Sequence, residues 1–280
     1  MRVRFLICSV FSISFFGLHA QEIFSAAVNI KTEPTDKIDF TETNIGLTYK
    51  KKISDNNQFT NTLDYSSLKM NSDSNEFKSV TDLDRLNLIQ NKIEFSHEMS
   101  NQFKWILSVT PTAGFEQYLD WKDVYVLGSI AAKKQINTKI AFEIGVARTT
   151  IFGAPKFTPI VSLDYKINEN AGLKIGFPDS KFSYSNNPRN AFSLTNQFNG
   201  SYYHLDSTKD LSTMASKAVL SQMTTAIEYE RNVDKNWFLN FKAGYDFNKK
   251  YELLNDSNNK VYDFRTGNGY VLGIGIKYKQ

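Results

Sequence analysis

The sequence predicts an all-β protein, an antiparallel up-and-down transmembrane β-barrel of 12 strands, with 14 as the alternative. Three observations carry this. Apolar residues recur at every second position in one segment after another, a basic and then apolar leader opens the chain, and no later stretch resembles a spanning helix. Such a helix needs roughly 20 apolar residues, and in lipid only helices and closed barrels satisfy every backbone polar group.

The alternation is clearest near the C-terminus. Trp237, Leu239, Phe241, Ala243, Tyr245 and Phe247 share one face, against Asn240, Lys242, Gly244 and Asp246 on the other. A second arm repeats the pattern, with Tyr270, Leu272, Ile274, Ile276 and Tyr278 set against Val271, Gly273, Gly275 and Lys277. A strand crossing an outer membrane needs roughly 9–11 residues, apolar toward lipid and aromatic at the interfaces, and both arms fit.

The leader reads as a cleaved signal peptide over residues 1–20. Arg2 and Arg4 form its basic part, Phe5 to Phe16 its apolar part, and Leu18-His19-Ala20 the cleavage site before Gln21. Residues 21–280 are then one barrel, exported to the outer membrane of a Gram-negative bacterium. The single cysteine, Cys8, leaves with the leader, which excludes disulfides and cysteine-ligated metals. The formal charge of +4 loses two arginines the same way, and the remaining charges are interspersed. That is not the clustered basic face of a nucleic-acid binder.

Further strands follow in order. Val28 and Ile30 face one way on the first, and Ile45, Leu47 and Tyr49 on the second. Phe59, Leu63 and Tyr65 lead to a polar segment at Asn71 to Asp84, and Ile89, Ile93 and Phe95 lead back. Phe103, Trp105, Leu107 and Val109 form the next strand; its return, Val124 to Lys133, is ambiguous because Val126/Ile130 and Tyr125/Leu127 are both apolar pairs. Phe142, Ile144 and Val146, then Val161, Leu163 and Tyr165, then Leu173, Ile175 and Phe177 complete the series.

Asparagines at 57, 101, 137, 170 and 236 mark tight turns just ahead of strands. The last interval is twice its predecessor, so a hairpin with a turn at Asn186 to Asn190 is one reading of the gap. The favoured reading makes Asp179 to Met214 one long external loop, because Lys181 to Ser185 is too short to cross and Asn196 would face lipid. An even strand count puts both termini in the periplasm.

The run Gly176-Phe177-Pro178-Asp179-Ser180-Lys181, with Ser183-Tyr184 and Gly200-Ser201-Tyr202-Tyr203, resembles a family of porin-like outer-membrane β-barrels known only as a domain of unknown function. The resemblance implies the fold and the location over Gln21 to Gln280 and brings no catalytic residue. Many such barrels end on an aromatic residue, whereas here Tyr278 is followed by Lys279-Gln280.

Ser201, His204 and Asp206 are the residue types of a hydrolytic triad, but Ser201 and His204 are an odd number of positions apart and diverge on a strand. No Gly-x-Ser-x-Gly elbow is present, and acidic residues lack the histidine partners of a metal site. No enzyme activity, cofactor or metal is expected. The inward-facing charges are the candidate site: Glu42, Asp64, Glu94, Glu143, Asp164, Glu228 and Asp246, interspersed with Lys92, Lys104, Lys139, Lys174 and Lys242. On the lipid face a lysine costs about 2–4 kcal/mol at the bilayer midplane, which assigns them to the lumen. They either hydrate a passive path for small hydrophilic solutes or pair across a closed barrel whose external loops carry a structural or surface-interaction role. Partners expected are outer-membrane lipid, small hydrophilic solutes and, during biogenesis, periplasmic chaperones and the barrel-assembly machinery; nucleic acid is not.

Overall fold

A computed structural model describes residues 22–71, 83–100, 102–206 and 215–280, so the leader and most of the polar segment after Asn71 lie outside it. Its strands are β1 (Glu22–Glu33), β2 (Asp39–Lys52), β3 (Asn57–Asn71), β4 (Arg85–Ser100), β5 (Phe103–Phe115), β6 (Val124–Gln135), β7 (Ile140–Thr149), β8 (Lys156–Lys166), β9 (Ala171–Phe177), β10 (Asp179–Asn187), β11 (Asn190–His204), β12 (Lys217–Asp234), β13 (Trp237–Leu254), β14 (Lys260–Asp263) and β15 (Gly269–Lys279). Each pairs antiparallel with its chain neighbour up to β13, β13 pairs with β15, and β15 closes the ring on β1. The ring holds 14 strands, since β14 pairs only with the far end of β13.

The count of 12 is therefore corrected to 14, and the segment expected to be one loop from Asp179 to Met214 contains β10 and β11. The reasons for the smaller count were real but not decisive. The β9 and β10 strands are short, at 7 and 9 residues, and meet at Pro178 to form a low hairpin. Asn196 does fall on the outward face of β11, alternating with Phe192 and Leu194, but its Nδ2 donates to Thr225 Oγ1 at 2.8 Å. A polar group with its hydrogen bond made is far cheaper outside than an unpaired one.

The start of β1, the end of β15 and the tight turns share one end of the barrel. Asparagine serves these turns because its side-chain carbonyl accepts from backbone donors two and three residues on. Asn137 Oδ1 takes Lys139 N and Ile140 N, both at 2.9 Å, and Asn187 Oδ1 takes Arg189 N and Asn190 N at 2.9 and 3.1 Å.

The long strands carry two opposite dressings. Toward the tight turns apolar side chains point outward and stay exposed, among them Ile45, Ile93, Leu107, Ile144 and Ile274. Val126 and Ile130 are the outward pair of β6, while Leu127 is buried. Toward the long loops the parity inverts: Phe40, Leu68, Met70, Leu86, Tyr251 and Leu253 point inward and are buried, as part of one apolar cluster. Outward at the same level stand Thr41, Ser67, Lys69, Arg85, Lys250 and Glu252. On β13 the change of face is made by an extra residue, Asn248, at φ 51°, which opposes nothing on β12 and swings Lys249, Tyr251 and Leu253 inward.

The ring also tapers. The last residue of β11, His204, bridges Phe115 at the end of β5, although five strands separate them around the wall. Gly114 makes this approach possible, since any Cβ there would strike the carbonyl oxygen of Tyr202. The loop after β5, with a short 3-10 turn at Trp121–Asp123, fastens the seam: Asp206 Oδ2 accepts Gln117 N and Tyr118 N at 2.9 and 2.8 Å, and Tyr125 Oη donates to Tyr202 O at 3.0 Å. Tyr125 and Ala154 cover the outer side of β11 to β13 at Tyr202, Val219 and Leu254.

Candidate functional site

Below the apolar cluster the lumen is hollow and polar. A cavity of about 400 Å³ lies directly under Leu68, Leu88, Tyr203 and Leu220. Lys31, Glu42, Asn44, Asn199 and Lys242 line both it and a second space of about 960 Å³ that reaches Asn168, Glu169 and Asn170 at the tight-turn rim. The chamber thus extends from that rim to a blind end beneath the apolar layer.

A buried ionic network braces the blind end. Lys31 Nζ sits 2.7 Å from Glu33 and 2.8 Å from Glu42. Lys249, whose side chain is fully buried, pairs with Glu33 and lies 3.3 Å from Asp246. Gln222 Nε2 donates to Glu33 at 3.1 Å and Thr224 Oγ1 to Asp246 at 2.6 Å. The remaining acceptors are satisfied by neutral donors, the arrangement that makes buried charge tolerable.

The charges singled out from the sequence separate into groups. Glu42, Asp64, Glu228 and Lys242 line the chamber, and Lys242 pairs with Glu228 at 3.2 Å. Asp246 is sealed behind them in the network. Elsewhere on the wall Lys92 pairs with Glu94 at 2.7 Å, Lys174 with Asp179 at 3.1 Å, Lys104 with Glu98 at 3.7 Å, and Asp164 with Lys133. Glu143 accepts from Ser162 Oγ at 3.4 Å. Lys139 lies in the turn ahead of β7, not in a strand. Sequence reasoning missed Lys31, Glu33, Lys249 and the apolar layer. The available signal was the change of parity within single strands, as in β3, where Leu63 and Tyr65 are odd but Leu68 and Met70 are even.

Ser201, His204 and Asp206 do not assemble as a triad. Ser201 lines the chamber, His204 meets the ring of Tyr202 edge-on at 5.1 Å, and Asp206 spends its carboxylate on backbone donors of the seam. Among the described residues no three His, Cys, Asp or Glu side chains gather as a metal site.

Residues 18–279 match the family described as Domain of unknown function (DUF6268). The chain belongs to this family. The DUF6268 match runs through every strand from β1 to β15. No curated protein matches the chain. Among solved structures it is similar to the NanC porin, at 8% identity over 91% of this chain and 100% of that one, with a TM-score of 0.44. The KdgM porin gives 6% identity, coverages of 90% and 98%, and 0.37; the TodX deltaS2S3 mutant monoaromatic hydrocarbon channel gives 11%, 94% and 91%, and 0.47.

Proposed function

We propose that this DUF6268 barrel resides in the outer membrane of a Gram-negative bacterium, reaches it through a cleaved signal peptide, and passes small hydrophilic solutes through its lumen. In this reading the tight-turn end faces the periplasm, the long-loop end faces outward, and the apolar cluster is the gate of a channel that rests closed. The observation that carries it is the hollow polar chamber: a barrel serving only as a scaffold gains nothing from leaving about 400 Å³ of polar space beneath a packed apolar layer. Folding into the membrane engages periplasmic chaperones and the barrel-assembly machinery. Planar-bilayer recording of the wild-type barrel tests the reading, with long closed intervals and brief openings expected. A folded, inserted barrel that never opens would overturn it. The second reading, a closed barrel acting through its external loops, is favoured by the completeness of the apolar layer, where Leu86 and Tyr251 have no exposed surface.

A further inference from the structure

We infer that the blind end of the chamber is a binding site for a neutral polyhydroxylated solute of one or two sugar rings. The inference rests on the channel reading for how solute arrives, but its geometry stands independently. Three polar side chains at the blind end have unspent hydrogen-bonding capacity among the described residues: Ser66 of β3, only 6% exposed, Gln90 of β4 and Gln197 of β11. A primary amide offers both donors and acceptors, which is what a hydroxyl, itself donor and acceptor, can satisfy at both ends. The ceiling above them is apolar, with Leu68, Leu88 and Leu220 beside the ring of Tyr203. A solute that is polar around its edge and carries C–H groups on its face matches amides at the side and aliphatic carbon above.

Charge excludes the acidic members of that class. The two lysines of the blind end are already neutralised, Lys31 by Glu33 and Glu42 and Lys242 by Glu228. Lys166 and Lys181, which form no ion pair among the described residues, lie away from it in the wider space toward the tight-turn rim. Asp64 also faces the cavity and, among the described residues, has no cation within ion-pair distance. An anionic solute there meets an uncompensated carboxylate and no free cation, whereas a neutral hydroxyl can donate to Asp64. The volume lies in the range of small-molecule sites, roughly 300–1,000 Å³.

The test is titration calorimetry of the full barrel, folded in detergent micelles, with glucose, maltose and glucuronate. Saturable binding of a neutral sugar is expected, at least ten-fold tighter than glucuronate, and Gln90→Leu with Gln197→Leu should weaken it ten-fold or more while the β circular-dichroism spectrum is retained. Should that double variant fail to fold, Ser66→Ala replaces it, with a loss of about three-fold expected from one hydrogen bond. No saturable neutral-sugar binding, equal binding of glucuronate, or undiminished binding by the folded variant would each overturn the inference. Binding without conductance in bilayers would defeat the channel reading and leave this site intact, and conductance without binding would do the reverse.

Discussion

The two ends of the barrel solve opposite problems with the same strands. Near the tight turns the wall is apolar outside and charged inside, the dressing the proposed membrane setting calls for. Near the long loops it is polar outside and apolar inside, the dressing of a water-soluble barrel. The lengths agree with this. A membrane crossing takes roughly 9–11 residues, and β3, β4, β12 and β13 run to 15, 16, 18 and 18, so they continue beyond it. The difference teaches that hydrophobic parity, more than strand length, marks where a barrel leaves the bilayer.

The largest effects should come from substitutions that break the join between the two regions. Tyr251 is fully buried, stacked on Phe264 at 4.4 Å and edge-on to Phe40 at 5.9 Å. Tyr251→Ala should cost about 3–5 kcal/mol in urea unfolding from vesicles and lengthen channel openings. Lys249→Met should cost a similar amount, about 3–5 kcal/mol, because Glu33 and Asp246 would share a buried site without their common cation. If Lys249→Met proves neutral, the network is not what holds the two regions in register.

The seam gives a smaller effect. Asp206→Ala removes two charge-assisted bonds to backbone donors at a solvent-facing position, and about 1 kcal/mol of local stability should go with it. Limited proteolysis at residues 116–123 reads this directly, and unchanged protection would locate the fastening elsewhere.

A pH effect is expected in the same loop. Burial pushes the Asp123 carboxyl up from its usual 3.8 to about 6, against the pull of the backbone donor of Asp120 and of Lys122. The folded loop therefore holds a proton that the unfolded chain releases, and its stability falls as pH rises from about 4 through 6. Amide exchange at residues 117–124 should quicken over that window, and Asp123→Asn should flatten the profile. The smallest change expected is none. Lys52 and Asp55 form a solvent-exposed pair at 3.0 Å, so Lys52→Ala should leave the unfolding midpoint unmoved.

The half nearest the tight turns was legible because its outward apolar residues alternate strictly. Trp237 through Phe247 and Tyr270 through Tyr278 form paired strands, with Trp237 opposite Tyr278 and Tyr245 opposite Tyr270. Two physical causes hid the rest. The hairpin of β9 and β10 is too short to show a repeated pattern, and the acceptor that satisfies the Asn196 amide is Thr225 Oγ1, 29 positions away. The site was hidden by Asn248, since one inserted residue inverts every later side chain of β13 and made Lys249 look outward. Leu253 is for the same reason part of the apolar layer.

The inversion of parity has a consequence for assembly. Most wall pairings join chain neighbours, but the ring closes only when β1 meets β15, the most distant pairing in sequence. Until then the loop-proximal part of the sheet is an open ribbon whose inner surface, at Phe40, Leu68 and Leu86, is wet and adhesive. Closure therefore does two jobs in one step. It removes the last free strand edges of the ring, and it dries the apolar core at the long-loop end.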